Sequence, residues 1–323
     1  MISDVAPLAP EVSQTEAAIT GLSAGPLSRA LGVVSDAGVR RDLLTLTKPR
    51  IMSLLVLTAA CAMVAGANGR PSAVRLLALM VGGALACGGA GALNHVIDRD
   101  IDRQMGARTD SRPVAAGRIS PRAATIFGAG LTLAALILLT VAVNPLAAVL
   151  TGLGSVYYVG VYTLWLKRRS VQNIVIGGGA GAMPVLAGWA AAQGRLGLGA
   201  VLLFTIVLAW TPPHFWALAL LLRRHYADAG VPMLPVVRGQ EATVRQIVLY
   251  TLLLCAVSVV PVLTGTFGLV YLGAALLLGA GFLWLAVRLW RGGGDRAAAV
   301  LFHYSLLYLA LLFVATALDA VLR

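Results

Sequence analysis

The chain alternates between long apolar stretches and short polar breaks, and this pattern sets the predicted secondary structure. Each apolar stretch is about 18–25 residues long, enough for a helix to cross a hydrocarbon core of roughly 30 Å. The predicted helices cover residues 51–68, 72–95, 122–142, 145–166, 171–192, 197–222, 244–264, 267–289 and 298–319. The breaks contain helix-stopping sequences such as Asn144-Pro145 and Gly292-Gly293-Gly294. The pattern therefore predicts an all-α, polytopic membrane bundle of about nine helices.

Composition supports the same class of protein. Hydrophobic residues make up 59% of the 323 residues and charged residues only 12%, whereas a soluble domain carries about 25% charged residues. We attribute the net charge of +12 to basic cytoplasmic loops and not to nucleic-acid binding, because no separate basic domain is present. The three cysteines lie in apolar stretches without metal-like spacing and are interpreted as small hydrophobic residues.

The distribution of basic residues tests the helix count and sets the orientation. Suppose that the N-terminus is cytoplasmic and that nine helices cross the membrane in alternating directions. The basic residues on the outer side of the membrane are then only Arg70, Arg75, Arg195 and Arg323, and the other 21 of 25 lie on the cytoplasmic side. This asymmetry predicts the nine-helix, N-in and C-out orientation, and we expect the protein in the bacterial cytoplasmic (inner) membrane. Residues 1–41 are predicted to be a mobile cytoplasmic extension, and residues 42–323 to be the membrane domain.

The segment with the most candidate functional side chains lies at the end of the second predicted helix. Asn94, Asp98 and Asp102 are spaced i, i+4, i+8, so a continuing helix would place them on one face. Carboxylates near a bilayer are costly unless they are paired or bind metal, and such oxygen ligands suit Mg²⁺. The alternative is a charged helix end that only anchors the span, which would not require a carboxylate repeat at helical spacing.

Basic residues follow these acids and complete a plausible diphosphate site. Arg103, Arg108 and Arg112 carry guanidinium groups that bind phosphate oxygens in pairs. The alternative is that they serve only membrane topology. Lys167 is a further phosphate candidate, although its basic cluster between helices four and five is also typical of a topological signal.

Other polar groups are few. Arg224, His225 and Asp228 follow helix six and are predicted to lie on the same side as the acids. His214 lies inside a span, where histidine is a functional candidate and neutral imidazole can ligate haem iron; the alternative is a histidine bonded to a neighbouring helix. Tyr158 can shelter a cation with its ring face or simply pack.

The motif N-x-x-x-D-x-x-x-D at residues 94–102 resembles that of the UbiA superfamily of membrane prenyltransferases. Further segments resemble its haem-farnesylating branch, and the resemblance extends over about residues 42–320. These segments are residues 46–50, 93–102, 108–113, 173–178, 188–190, 211–216 and 229–235.

The resemblance implies nine helices around a central cavity, with two acidic sites above it on the cytoplasmic side. It implies farnesyl diphosphate and haem b as substrates, Mg²⁺ bound to the diphosphate, and haem O and diphosphate as products. Lys48, Arg50 and Asn173 enter as substrate-binding candidates through the matching segments. The second acidic site matches less well, because His225 stands where an acid is expected, and Asp228 is the remaining carboxylate for a second metal. Membrane lipid, haem A synthase and the terminal oxidase assembly are considered as partners, and nucleic acid is not.

Two other functions remain open at this stage. One is a related prenyltransferase acting on an aromatic quinone precursor or on chlorophyllide, which the acidic repeat alone does not exclude. The other is a secondary transporter, for which intramembrane Gly and Pro are typical. Nine spans do not divide into equal halves, however, and the acids lie at the membrane edge.

Overall fold

The computed structural model describes residues 37–106, 109 and 111–323. The chain divides into two units, residues 1–41 and 42–323. Of the predicted N-terminal extension only residues 37–41 are described, and Arg108 also lies outside the described residues. A helix at Ala37–Leu46 precedes the membrane helices.

Within the described residues, nine helices are long and apolar enough to cross a membrane, which confirms the predicted polytopic all-α bundle. The first three are α1 (Pro49–Gly66), α2 (Ala73–Ile97) and α3 (Pro121–Ala142). The next three are α4 (Pro145–Arg169), α5 (Asn173–Gln193) and α6 (Leu198–Leu221). The last three are α7 (Gly239–Leu263), α8 (Leu269–Trp290) and α9 (Gly294–Leu322).

Capping chemistry explains where several helices begin. Ser120 and Asn144 accept a backbone hydrogen bond at the start of α3 and α4, and each is followed by a proline, which suits the first helical position. Helix α4 changes character along its length, because residues Tyr157–Leu166 form a π-helix. Short helices at Arg99–Gln104, Arg223–Asp228 and Leu234–Val237 lie in the loops after α2 and α6.

Contacts between the nine helices run in chain order from α1 to α9 and back to α1. Each helix packs against the next one in sequence, α9 returns to α1, and additional contacts join α1 to α5 and α6 to α9. Small residues allow the closest crossings: a Cβ on Gly188 of α5 would lie 2.0 Å from the Ala59 carbonyl oxygen of α1. Helices are expected to associate this way in lipid, where close van der Waals packing replaces the hydrophobic effect.

The polar helix ends meet at one end of this bundle. Arg168 at the end of α4 donates to the Ile97 carbonyl at the end of α2 (2.8 Å). Buried Ile101 and Met105 of the loop after α2 belong to the same core cluster as Val231 and Met233 of the loop after α6. The two polar loops therefore lie on the same side, as the alternating pattern predicts.

Candidate active site

The acidic row lies where α2 passes into the short helix Arg99–Gln104. The Asp98 amide donates to the Asn94 carbonyl (2.9 Å), and the Asp102 amide donates to the Asp98 carbonyl (2.8 Å). Helical hydrogen bonding thus continues through the junction, which keeps the three side chains on one face. Their residues are 3%, 0% and 1% exposed, respectively, so the row faces the protein interior and not the surrounding solvent or lipid.

Three basic side chains from different elements converge on this row. Lys167 of α4 pairs with Asp98 Oδ2 at 2.5 Å, and Arg112 of the following loop pairs with Asp102 Oδ1. Lys48 donates to Asn94 Oδ1. Three basic side chains therefore surround two carboxylates and one amide, an arrangement suited to an anionic substrate.

The approach of Lys48 depends on glycines in α2. A Cβ on Gly91 would lie 2.9 Å from the Leu46 carbonyl oxygen, and one on Gly88 would lie 3.1 Å from Thr47. The chain before α1 can therefore pass directly over α2, and Lys48 takes a left-handed backbone conformation (φ 53°), an uncommon one for a residue with a side chain. Burial, together with the positive charges of Arg112 and Lys167, lowers the pKa of the Lys48 amine to about 7.

Two carboxylate oxygens in the row have no hydrogen-bond partner. They are Asp98 Oδ1 and Asp102 Oδ2, and both are buried. A buried carboxylate oxygen without a partner is costly, so these atoms mark where a cation would bind. Among the described residues no three His, Cys, Asp or Glu side chains form a cluster, so the donor set is two carboxylates and one amide. Such a set suits Mg²⁺, which completes its coordination with water and phosphate oxygens.

The π-helix in α4 supplies a polar group that the sequence analysis missed. The hydroxyl of Thr163 donates to the Tyr158 carbonyl five residues earlier (2.8 Å) and accepts from Asn94 Nδ2 (3.1 Å). Asn94 Nδ2 also donates to Asp98 Oδ2 (2.8 Å). With its nitrogen held twice, the Asn94 amide presents its oxygen towards Lys48. No feature of the sequence distinguishes this threonine from others in apolar runs.

Two tyrosines of the π-helix border the same site. The rings of Tyr158 and Tyr162 stack with centroids 5.8 Å apart, and Lys48 Nζ lies 3.5 Å from the Tyr158 hydroxyl. Tyr162 lies against α5, where a Cβ on Gly177 would be only 2.4 Å from its ring. The Tyr158 hydroxyl therefore lies beside Lys48, at the edge of the acidic row.

His214 is a residue of α6, and its side chain faces α9 in an aromatic environment. Its ring stacks on Trp210 (4.3 Å) and on Phe302 (4.8 Å), and its Nδ1 lies 2.6 Å from Ser305 Oγ. The single proton of Ser305 is donated to the Phe302 carbonyl (2.6 Å). Ser305 must therefore accept from His214 Nδ1–H, which leaves the Nε2 lone pair available for a ligand.

The remaining predicted residues lie further from the acidic row or have no partner. Arg103 donates to the Ala115 carbonyl (3.1 Å), which braces the loop. Asn173 is fully buried at the start of α5, and neither polar atom of its side chain has a partner. His95, next to Asn94, is likewise buried with both ring nitrogens unpartnered. Its position beside the acidic motif is the sequence feature that marks it as a candidate site residue. Arg103 is itself exposed, and so are Arg50, Arg224 and Asp228.

Comparison with known proteins identifies the family. A family model described as the UbiA prenyltransferase family matches residues 55–315. The chain belongs to the UbiA prenyltransferase family. This result agrees with the motif resemblance at residues 94–102 and favours a prenyltransferase over a secondary transporter.

Relatives within the UbiA family are similar over most of the chain. A protein from Chloroflexus aurantiacus named protoheme IX farnesyltransferase is 51% identical over 278 residues, which are 86% of this chain and 47% of that protein. One of the same name from Marinobacter nauticus is 50% identical over 279 residues, or 86% of this chain and 92% of that protein. The chain spans about half the length of the relatives from Chloroflexus, Roseiflexus and Thermus.

Solved structures show the same fold. A digeranylgeranylglyceryl phosphate synthase superposes with a TM-score of 0.72 at 18% identity, covering 88% of this chain and 99% of that one. A UbiA homologue from Archaeoglobus fulgidus, solved with GPP and Mg²⁺, superposes with a TM-score of 0.62 at 15% identity, covering 85% and 99%. The nine-helix arrangement is therefore the UbiA fold.

Proposed function

We propose that the protein transfers a farnesyl group from farnesyl diphosphate to a vinyl group of protohaem IX (haem b), with addition of water. The products are haem O and diphosphate. The acceptor is supported by relatives about 50% identical that bear the name protoheme IX farnesyltransferase. The observation that carries the diphosphate chemistry is the buried acidic row, in which each carboxylate pairs with one basic side chain and keeps its other oxygen without a partner.

Asn94, Asp98 and Asp102 are the residues proposed to hold Mg²⁺ with the substrate diphosphate. The Archaeoglobus fulgidus homologue solved with GPP and Mg²⁺ supports a metal-dependent reaction in this fold. When bound, Mg²⁺ supplies positive charge that makes diphosphate a better leaving group. Asp228 is proposed to contribute to a second cation site; because its carboxylate is exposed, Asp228→Ala should lower activity less than Asp98→Ala.

The basic residues are proposed to bind and orient the diphosphate. Lys48, Lys167 and Arg112 already surround the acidic row, and their charges would stabilise the negative charge that develops as the carbon–oxygen bond of the substrate breaks. The other phosphate-binding candidates are Arg50, Arg103, Arg108, Arg224 and Asn173.

The prenyl transfer step is proposed to proceed through an allylic cation. Both electrons of the broken bond leave with diphosphate, and the stacked rings of Tyr158 and Tyr162 shelter the cation. The terminal vinyl carbon of haem forms the new carbon–carbon bond. Water then captures the cation next to the porphyrin and loses a proton, which gives the hydroxyl group. The protein contributes positioning and keeps early water away from the reacting groups.

His214 is the proposed contact for the haem iron. The Ser305 hydrogen bond fixes the imidazole as the Nδ1–H tautomer, and stacking on Trp210 and Phe302 fixes its plane. Replacing His214 with Ala should shift the absorption spectrum of haem bound to the purified protein. An unchanged spectrum would remove His214 from the haem site.

Paired substitutions of neighbouring acids test the function. Asp98 is buried against Lys167, whereas Asp100, two residues later, is exposed and pairs with Arg168 (2.7 Å). We expect Asp98→Ala to abolish haem O formation in membranes with matched expression, and Asp100→Ala to retain most of it. Equal activities of the two variants would contradict the proposed role of the acidic row.

The acceptor, location and partners need separate tests. Extracting haems from cells that overproduce the protein should yield a more hydrophobic haem. Recovery of a prenylated quinone precursor or chlorophyllide instead would replace haem as the acceptor.

We propose that the protein lies in the bacterial inner membrane, with the N-terminus and the active site facing the cytoplasm, since basic residues gather on that side. Haem A synthase and the terminal oxidase assembly are proposed partners, to be tested by co-purification.

A further inference from the structure

The turn between α8 and α9 contains a cleft that shares no residue with the acidic site. Its volume is about 320 Å³. The lining residues are Trp284, Val287, Arg288, Arg291, Gly292 and Gly293. A smaller cavity of about 150 Å³ shares Arg288 and Gly293 with it and adds Arg296. Asp295 in this turn pairs with Arg223 after α6 (2.8 Å), which places the cleft at the same end of the bundle as the polar loops.

The cleft carries uncompensated positive charge. Within the part of the chain that the structure describes, no carboxylate pairs with the guanidinium groups of Arg288, Arg291 or Arg296. The one acid in the turn, Asp295, is already bonded to Arg223. The two arginines that line the cleft and the third at the adjoining cavity attract an anion, and their forked donors match phosphate oxygens.

The surroundings of the cleft suit a ligand that is part charged and part apolar. The guanidinium carbon of Arg288 lies 5.7 Å from the ring centroid of Trp284, a cation–π contact that holds Arg288 in place. Trp284 and Trp290 are 61% and 60% exposed on the bundle surface, and tryptophan favours the level of lipid headgroups. Val300, beside Arg296, is also exposed.

We propose that this cleft binds the phosphodiester headgroup of an anionic phospholipid from the adjacent leaflet, with the acyl chains along α8 and α9. The shared chemistry with free phosphate is the oxyanion held by Arg288 and Arg291. The exposed tryptophans favour the lipid, because free phosphate would gain nothing from an apolar rim. Basic pockets between membrane helices are suited to such headgroups.

The test compares lipids on the purified full-length protein in detergent. Phosphatidylglycerol, phosphatidylcholine and inorganic phosphate are titrated separately, with retained lipid measured by native mass spectrometry and stabilisation by thermal unfolding. We expect phosphatidylglycerol to be retained and to raise the unfolding temperature more than phosphatidylcholine. Equal effects of the two lipids would show that the arginines serve topology alone, and stabilisation by inorganic phosphate alone would identify a free-anion site; either result overturns the proposal.

Charge-matched variants locate the site. Arg288→Gln/Arg291→Gln removes two charges from the cleft, whereas Arg122→Gln/Arg245→Gln removes two exposed charges elsewhere in the chain. The cleft variant should bind phosphatidylglycerol about 10- to 30-fold more weakly, and the control should bind it like the wild type. Equal loss in both would refute a specific site. Trp284→Leu, which keeps every charge, should also weaken binding, and provides a second variant if the double variant does not fold.

Discussion

Thr163 provides a sharp test of how the acidic row is organised. Replacing it with valine keeps the branched shape but removes the hydroxyl that accepts from Asn94 Nδ2 at 3.1 Å. Thr163 is fully buried, so water cannot readily replace the lost partner. One net hydrogen bond contributes about 0.5–1.5 kcal/mol, and an unsatisfied buried donor costs about 1–3 kcal/mol. The preference of the Asn94 amide for its present orientation should therefore fall by about 1–2 kcal/mol.

This loss translates into weaker metal binding if Asn94 Oδ1 is a ligand. A change of about 1–2 kcal/mol corresponds to roughly 5- to 30-fold in affinity. We expect the Mg²⁺ concentration for half-maximal diphosphate release to rise by that factor in Thr163→Val. Thermal stabilisation of the purified protein by Mg²⁺ and a non-hydrolysable prenyl diphosphate should weaken in parallel, which gives a readout independent of turnover. Thr163→Ser, which restores the hydroxyl, should recover both.

A matched control separates orientation from general destabilisation. Thr251 in α7 is equally buried, and its hydroxyl donates to the Ile247 carbonyl (2.7 Å). Thr251→Val should leave the Mg²⁺ requirement unchanged, whatever it does to stability. The reasoning is refuted if Thr163→Val leaves the Mg²⁺ requirement at the wild-type value, or if both valine variants raise it equally.

Two further predictions concern stability. Gly188→Val should lower the unfolding temperature sharply, because overpacking against the Ala59 carbonyl costs about 1–3 kcal/mol or more. Gly181→Ala in the same helix should be neutral or stabilising, because no atom lies within 4 Å of the added Cβ. Similar unfolding temperatures for the two variants would contradict the close crossing of α1 and α5. Asp319→Ala should cost about 1–3 kcal/mol, because Asp319 accepts from the Gly268 amide at the start of α8 (2.6 Å); an unchanged unfolding temperature would show that another group caps α8.

The sequence predicted the membrane helices well because hydropathy and helix-stopping residues act locally. The predicted helix boundaries were less accurate where a helix extends beyond its apolar segment. Helix α7 begins at Gly239 and not at residue 244, and α9 begins at Gly294 and not at residue 298. In both helices the first turn is polar, and backbone hydrogen bonding can continue through residues that hydropathy excludes from the span.

The acidic row was predictable because its spacing matches the helical period, and the structure keeps that face continuous. Its partners were harder to predict, since Lys48 and Lys167 reach it from segments far apart in sequence. Both are phosphate candidates by residue type, but no residue pattern indicates their pairing with the acidic row. Thr163 was missed altogether, because its role depends on a local π-helix that no residue pattern indicates.

The π-helix in α4 also sets the angular phase between the two parts of that helix. In an α-helix, residues five apart point about 140° away from each other, whereas the wider coil lets the Thr163 hydroxyl donate to the Tyr158 carbonyl five residues earlier. Lys167 follows this coil directly, so its direction depends on how the residues before it wind. Each residue of an i to i+5 coil turns the chain by less than the roughly 100° of an α-helix. If residues 157–166 wound as an ordinary α-helix instead, Lys167 would be rotated away from Asp98, without altering a single side chain of the acidic row.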